Sequence, residues 1–545
     1  MLRPGLVGLF ALVLTVAACG APDPDGGENS SGSQDGGDST AEISLLTASI
    51  PESLNPLAGF GNTGKGKINE GLLTLEGGPT ELPELVPHLA AADPEVSPDA
   101  RTWTVTLQEG VTFTDGSALD AADVVATYEA IADPASASPI AGDLVNLQTV
   151  EAVDDTTVRF TLAEPQVSFR TALLIGIAPS ESITAGQQVA ESPLAQEPVG
   201  TGPYRVESFA TDRLVLVAND AYRDGAPELK RITYVLAADD NTRAQRMTAG
   251  EFDGSVLPPR LTETFQDDER FEVFHATSAD WRGLSLPADN PVTSDPAVRM
   301  ALNLGIDRQA IIDGVLVGTG RPAHTFIPPE YGEYHNADAV FPYDPEQAAS
   351  VLDAAGWVMG ADGIRVKDGQ RAEFTLMYRP SDLVRRDLSA AFASEVLPLG
   401  FDVTIEGVDF DQAEPRAGQD AILLGGGDTP YDVDSQIYKA LHSSYPAAGA
   451  FYDNPSQYAD PEMDAALHEG RTSVDPAARV AAYQRVQELY VADPSMVLLV
   501  FLDHTYVQKA SVGREWDNLS TMLEPHEHGT AWGPWVDIDQ WTRRS

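Results

Sequence analysis

The sequence predicts an α/β protein folded as two lobes, and three observations carry that expectation. The first half alternates short strand-like runs with turns. The second half carries a strand–helix–strand pattern, which implies a parallel or mixed sheet covered by helices. The chain has 545 residues and 43% hydrophobic content, roughly three or four domain-sized units. Two lobes fit that length better than one giant core.

The N-terminus reads as an address. Arg3 precedes an apolar run, Leu6 to Val16, which has the form of a signal-peptide core and is too short to span a bilayer. "VAACG", Val16 to Gly20, is a small-residue run ending in cysteine, and it resembles the lipobox of bacterial lipoproteins. The resemblance implies a signal peptide over residues 1–18 and a lipidated Cys19 as the first mature residue. Cys19 is the chain's one cysteine, so an internal disulfide, a cysteine-based zinc site and a cysteine nucleophile are excluded. Residues 20–40 are rich in Gly, Ser and Asp and cannot form a core. Residues 19–40 therefore read as anchor and flexible tether, reaching roughly 25 Å.

The body starts near Ala41. "TWTVTL", Thr102 to Leu107, places Trp103, Val105 and Leu107 on one face. Thr157 to Leu162, Arg213 to Asn219 and Arg231 to Ala237 have the same strand character. Between them, Asp120 caps a helix with Val124, Tyr128 and Ile131 at helical spacing. Later helices open with Asp-Pro at Asp295, Asp344, Asp460 and Asp475, where Asp caps and Pro fills the first turn. The helix after Asp344 turns Val351 and Leu352 inward and closes at Gly356. "EFTLMY", "SDLVRRDLSAAFASEV" and "FDVTIEG" follow as strand, helix and strand, with "AILLGG" a further strand.

Charge and motifs exclude several functions. Acidic residues outnumber basic ones 83 to 34, a net charge of −49. That argues against nucleic acid, which needs Lys and Arg to neutralise phosphates, and against docking on anionic lipid. It fits a soluble monomer. "GFGNTGKG", Gly59 to Gly66, lacks the Ser/Thr of a P-loop and follows no apolar strand. "GTGRPA", Gly318 to Ala323, has a proline where a dinucleotide-binding helix would start. No nucleophile elbow and no H-E-x-x-H motif occurs. His526 and His528 sit close enough in sequence to touch one metal, although two histidines in a polar loop ordinarily do nothing. The reading is of a binding protein without cofactor, not an enzyme.

"PVGTGPY", Pro198 to Tyr204, is a stiff turn, since proline fixes φ and glycine opens conformational space. It resembles the most recognisable segment of the family 5 extracellular solute-binding proteins, the peptide- and nickel-binding receptors of ABC importers. Four further stretches are similar to that family, in order: Trp103 to Ala130, Asp240 to Gly254, Asp295 to Ile312, and "YDPEQAASVLDAAGW".

The resemblance implies a two-lobed periplasmic-binding-protein-like fold (type II, cluster C) with an additional β-rich subdomain in lobe one. Lobe one would take residues 41–76, 198–279 and 504–545. The subdomain would take 77–197 and lobe two 280–503, with hinge crossings near Trp281 to Leu286 and Leu499 to Asp503. "PVGTGPY" would be an architectural corner returning the chain to lobe one. The implied function is capture of short peptides, or a similar small organic solute, for delivery to the membrane subunits of an ABC permease. The protein would be held outside the cell membrane by its lipid anchor.

A ligand buried by closure needs its charges paired. The family pattern places a ligand ammonium on Asp428 in "LLGGGDTPYDVD", with Asp432 second. It places a ligand carboxylate on Arg385 or Arg386. Each of these is equally at home as a surface charge. Trp281 and Tyr431 would wall the cleft or fill the core. The alternative ligand is nickel in a small chelator, with Tyr431 lining the site and His442 as the protein's ligand to the metal.

Overall fold

A computed structural model describes residues 41–427, 431–445, 452–526 and 529–545. Cys19, Asp428 and His528 lie outside the described residues. The strand runs read from sequence form: Thr102–Thr106, Thr157–Leu162, Arg213–Ala218 and Arg231–Leu236 are all β-strands. The Asp caps form too. Asp120 makes a capping box with Asp123 over the helix Ala121–Ala132. Asp295, Asp344, Asp460 and Asp475 each accept a backbone N–H at the start of their helices, satisfying donors that the first turn leaves open. The helix Pro345–Ala354 differs in one detail. Ala348 and Leu352 are its buried residues, and Val351 is half-buried.

Three sheets organise the body. A seven-stranded sheet runs in the order Phe271–Ala276, His504–Lys509, Gly254–Val256, Glu42–Thr47, Arg231–Leu236, Arg213–Ala218, Tyr204–Ala210. Glu42–Thr47 pairs in parallel with both neighbours, with Leu45 opposite Tyr234 and Gly254. A six-stranded sheet runs Arg321–Pro322, Met496–Phe501, Trp281–Ser285, Ala421–Gly426, Glu373–Tyr378, Asp402–Gly407. The strand–helix–strand segment supplies its parallel strands, and Trp281–Ser285 is antiparallel to both neighbours. The sheet is therefore mixed.

The third sheet, of four strands, runs Glu95–Val96, Thr102–Thr106, Thr157–Leu162, Leu147–Asp154. Its core stacks Tyr128, Phe160, Phe169 and Trp103 with ring centroids 4.9–5.7 Å apart.

The central strands Met496–Phe501 and Ala421–Gly426 are buried on both faces, as their uninterrupted apolar runs require, while the edge strand Asp402–Gly407 is largely exposed. Ala421 and Leu423 face one core, while Ile422 and Leu424 face the other. Met496–Phe501 divides in the same way, with Val497 and Leu499 opposite Met496 and Leu498. The chain passes between the seven- and six-stranded sheets at residues 277–280 and 502–503.

Pro198 to Tyr204 lies flat against the backbone of Lys67 to Asn69. Gly202 N–H donates to Ile68 O at 2.8 Å, and Tyr204 N–H to Lys67 O at 3.0 Å. A Cβ on Gly202 would stand 2.6 Å from the carbonyl oxygens of Ile68 and Lys67, and one on Gly200 would collide with Ile68 O. Neither glycine has positive φ. The requirement is space, not backbone angle.

Candidate ligand-binding cleft

A cavity of about 770 Å³ opens between the loop that follows Glu42–Thr47 and the C-terminal end of Ala421–Gly426. A second, of about 600 Å³, continues from it and shares Ala58, Gly59, Gly425 and Tyr452. A third, of about 250 Å³, adjoins the first through Thr47, Ser49, Arg379, Arg385, His526 and Gly529. The near-miss P-loop segment lines the largest cavity with Gly59, Gly61, Lys65 and Gly66. Sequence reading passed over this contribution, although a glycine-rich loop carrying lysine was its visible signal.

The second cavity carries Asp143 and Asp453 beside Lys439. The third carries Asp240, Asp382 and Asp503 beside Arg243, Arg282, Arg379 and Arg385, whereas the largest runs against the charge of the molecule. The largest cavity carries Lys65, Lys67, Arg379 and Arg385, and no carboxylate lines it among the described residues. Lys65 is half-buried and Lys67 buried, and they pair behind the wall with Asp537 at 2.8 Å and Asp539 at 3.5 Å. Arg379 lies over the Phe410 ring, 5.8 Å from its centroid.

Arg385 belongs to the helix Leu383–Val396, where Asp382 is the cap and accepts Arg385 N–H at 2.9 Å. Its side chain is 7% exposed and meets Asp382 at 3.2 Å. Its Nε–H has no partner among the described residues. Burial first, then the neighbouring Arg282, pushes its pKa down. A buried guanidinium with an unspent donor is costly unless an acceptor arrives.

Behind the cleft lies a buried ionic cluster. Asp280 accepts from Arg282, from His504 Nε2 at 2.9 Å, and from His526 Nδ1 at 2.7 Å. His504 Nδ1 meets Glu524 at 2.6 Å, and Tyr506 donates to the same carboxylate oxygen at 2.6 Å. Burial opposes charge on Asp280, but Arg282 and the two histidines hold its carboxyl well below the usual range. Burial opposes charge on His504 as well, yet Asp280 and Glu524 raise its pKa. Gly425 makes room for this arrangement, since a side chain there would overlap Arg282 Nη1 and the His526 ring.

The remaining sequence-derived residues separate clearly. Trp281 lines the 600 Å³ cavity and packs edge-on against Phe326 at 5.1 Å. Arg386 is exposed and pairs with Asp387 at 2.8 Å. Asp432 caps the helix Val433–Leu441 and pairs with Arg479 at 2.5 Å. Burial raises the Asp432 carboxyl despite that arginine.

Tyr431 has φ of 85° and is buried among the core residues around Leu57 and Trp532. His442 stacks on Tyr438 at 4.6 Å and meets Ser444 Oγ at 2.8 Å. Burial lowers its pKa. Arg386, Asp432, Tyr431 and His442 line none of the three cavities. The structure thus brings Arg385 and Trp281 to the cleft.

Comparisons with known proteins agree with this architecture. Residues 84–447 match the model of bacterial extracellular solute-binding proteins, family 5, middle. Protein XP55 of Streptomyces lividans is 41% identical over 492 residues, covering 90% of this chain and 88% of that protein. The glutathione-binding protein GsiB of Shigella boydii serotype 4 (strain Sb227) is 32% identical over 268 residues, 49% of this chain and 52% of that protein. The crystal structure of NikZ from Campylobacter jejuni in complex with Ni(L-His) superposes with a TM-score of 0.83 at 23% identity. That superposition covers 92% of this chain and 99% of NikZ. The fold is that of the two-lobed periplasmic binding proteins, and the chain belongs to the family 5 extracellular solute-binding proteins of ABC importers.

Proposed function

We propose that the protein captures a small organic solute bearing a carboxylate, with short peptides as the leading class, and delivers it to an ABC permease. One observation carries the reading. A protein of net charge −49 lines the largest of these cavities with four cationic side chains and, among the described residues, no carboxylate. Such a wall selects an anion. Arg385 would hold the ligand carboxylate, because its guanidinium is buried, rigidly based on a capped helix, and short of one acceptor. Trp281 would wall the adjoining cavity, since aromatic rings bury area at low entropic cost. The related GsiB is named for glutathione, itself a peptide with carboxylates.

The domain reading is part of the proposal. Lobe one would take residues 41–76, 198–279 and 504–545, and lobe two 280–503, closing about the crossings at 277–280 and 502–503. Cys19 would carry the lipid that tethers the body outside the cell membrane. No helix among the described residues is long and apolar enough to cross a membrane.

The test is calorimetry of dialanine and dialanine amide on the wild-type protein, paired with uptake assays in cells lacking it. Binding of the free acid and rejection of the amide, with lost uptake, support the proposal. Equal binding of both, or unchanged uptake, contradicts it.

A further inference from the structure

The largest cavity carries more positive charge than one carboxylate can use, and its cations fall into two separate sets. Lys65 and Lys67 come from the loop that leads away from the strand Glu42–Thr47. Arg379 and Arg385 come from the end of the strand Glu373–Tyr378 and the first turn of the helix Leu383–Val396. We propose that the cleft is built for a ligand with two anionic groups, one held by each set. The expected ligand is a peptide ending in an acidic residue, or a molecule with the same dicarboxylate end. This rests on the reading of Arg385 as a carboxylate-binding residue.

Donor counting supports two groups. A carboxylate offers about four acceptor positions, and one guanidinium presents five N–H donors. Arg379 makes no ion pair among the described residues. Arg385 and Arg282 both line the adjoining 250 Å³ chamber, and each retains an unpartnered Nε–H. These arginines alone outnumber the acceptors of one carboxylate. The lysines on the opposite wall remain: each ammonium has three donors, of which Lys65 spends one on Asp537 and Lys67 spends two, on Asp539 and Val536 O.

Space is consistent with this. The 770 Å³ cavity and the 250 Å³ chamber join at Arg379, Arg385 and His526. A terminal carboxylate reaching that junction leaves a neighbouring side-chain carboxylate in the larger cavity, facing the lysines. Among the described residues no carboxylate stands on this wall, in so acidic a chain. An aspartate there would satisfy one cation and repel the second anion.

The experiment compares Ala-Glu, Ala-Gln and glutarate by calorimetry on the full-length wild-type protein and on Lys65→Gln and Arg379→Gln. Ala-Gln has the shape of Ala-Glu and lacks one charge. The expected result is Ala-Glu binding about tenfold tighter than Ala-Gln, the worth of a charge-assisted hydrogen bond. In Lys65→Gln that preference shrinks to about threefold or less, and Arg379→Gln weakens Ala-Glu more than Ala-Gln. Arg379 is exposed and Lys65 half-buried beside Asp537, so a urea titration of each variant checks that it is folded before binding is compared.

Equal binding of Ala-Glu and Ala-Gln overturns the two-anion inference and leaves the carboxylate reading standing. A preference that persists in both variants also overturns it, because the second group is then held elsewhere. Tight glutarate binding with both dipeptides rejected supports two anions and assigns them to a free dicarboxylate, which removes the peptide reading. Rejection of all three removes both readings.

Discussion

His504 Nε2 and Asp280 Oδ2 meet at 2.9 Å with both side chains fully buried, at the two points where the chain passes between its large sheets. The contact joins the residue before Trp281–Ser285 to the first residue of His504–Lys509. Removing one partner leaves an uncompensated buried charge, a loss of about 3–5 kcal/mol. Asp280→Asn is therefore expected to lower unfolding stability by that amount in urea titrations, more than any surface Asp→Asn change in this chain.

The same pair makes stability depend on pH. His504 has a raised pKa in the folded protein, so its contribution is present below about 6.5, the ordinary histidine value, and is lost as pH rises through the raised value. Thermal stability is expected to fall on the alkaline side of neutrality. His504→Gln should flatten that fall, and an unchanged slope would remove His504 as its origin.

Acid stability rests on another cluster. Glu70 is buried and accepts from Arg223 at 2.6 Å, Tyr222 at 2.8 Å and His88 at 2.7 Å. Burial opposes its charge, but His88 and Arg223 bring its pKa down to about 2. A lowered carboxyl pKa stabilises above the unfolded value of about 4.3, and the gain disappears as pH falls through 2. Glu70→Gln is expected to cost about 3 kcal/mol at neutral pH, from a shift of roughly two units at about 1.4 kcal/mol each. Its decline between pH 4.5 and 2 should be shallower than that of the wild type, the remainder coming from other depressed carboxyls such as Asp280.

Two glycines give a control for close packing. Gly200→Ala forces a methyl into Ile68 O, while Gly78 has open space around it and no positive φ. Gly200→Ala should lose about 1–3 kcal/mol by overpacking, and Gly78→Ala should stay within about 0.5 kcal/mol. Similar urea midpoints for the two would refute the close-approach account of Pro198 to Tyr204.

Local structure was legible in the sequence because its causes are local. Strand alternation, the Asp-Pro caps and the turn at Gly356, with φ of 87°, each depend on a few neighbouring residues. The cleft was legible only in part. Arg385 stood out because the family resemblance implies an arginine early in the helix after "EFTLMY", and Trp281 because it borders a crossing. Asp432 looked like a ligand group from its neighbours, but its carboxylate is spent on Asp434 N–H and on Arg479, 47 residues away. Lys65 was read only as part of a near-miss P-loop, and Lys67 and Arg379 drew no notice, since their meaning comes from a wall assembled across more than 300 residues of chain. Composition even pointed the other way. A net charge of −49 conceals a cavity whose described lining is cationic.

The central claim is that a cation-lined cleft centred on Arg385 captures a carboxylate. The most direct measurement is native mass spectrometry of the full-length protein after exposure to matched libraries of short peptides, one with free C-termini and one amidated, repeated on Arg385→Met. The account predicts bound peptides from the free library alone, and a loss of affinity in Arg385→Met of about 2–5 kcal/mol, the range for breaking a buried charge pair. Equal capture of the amidated library, or an undiminished complex in Arg385→Met, would contradict it.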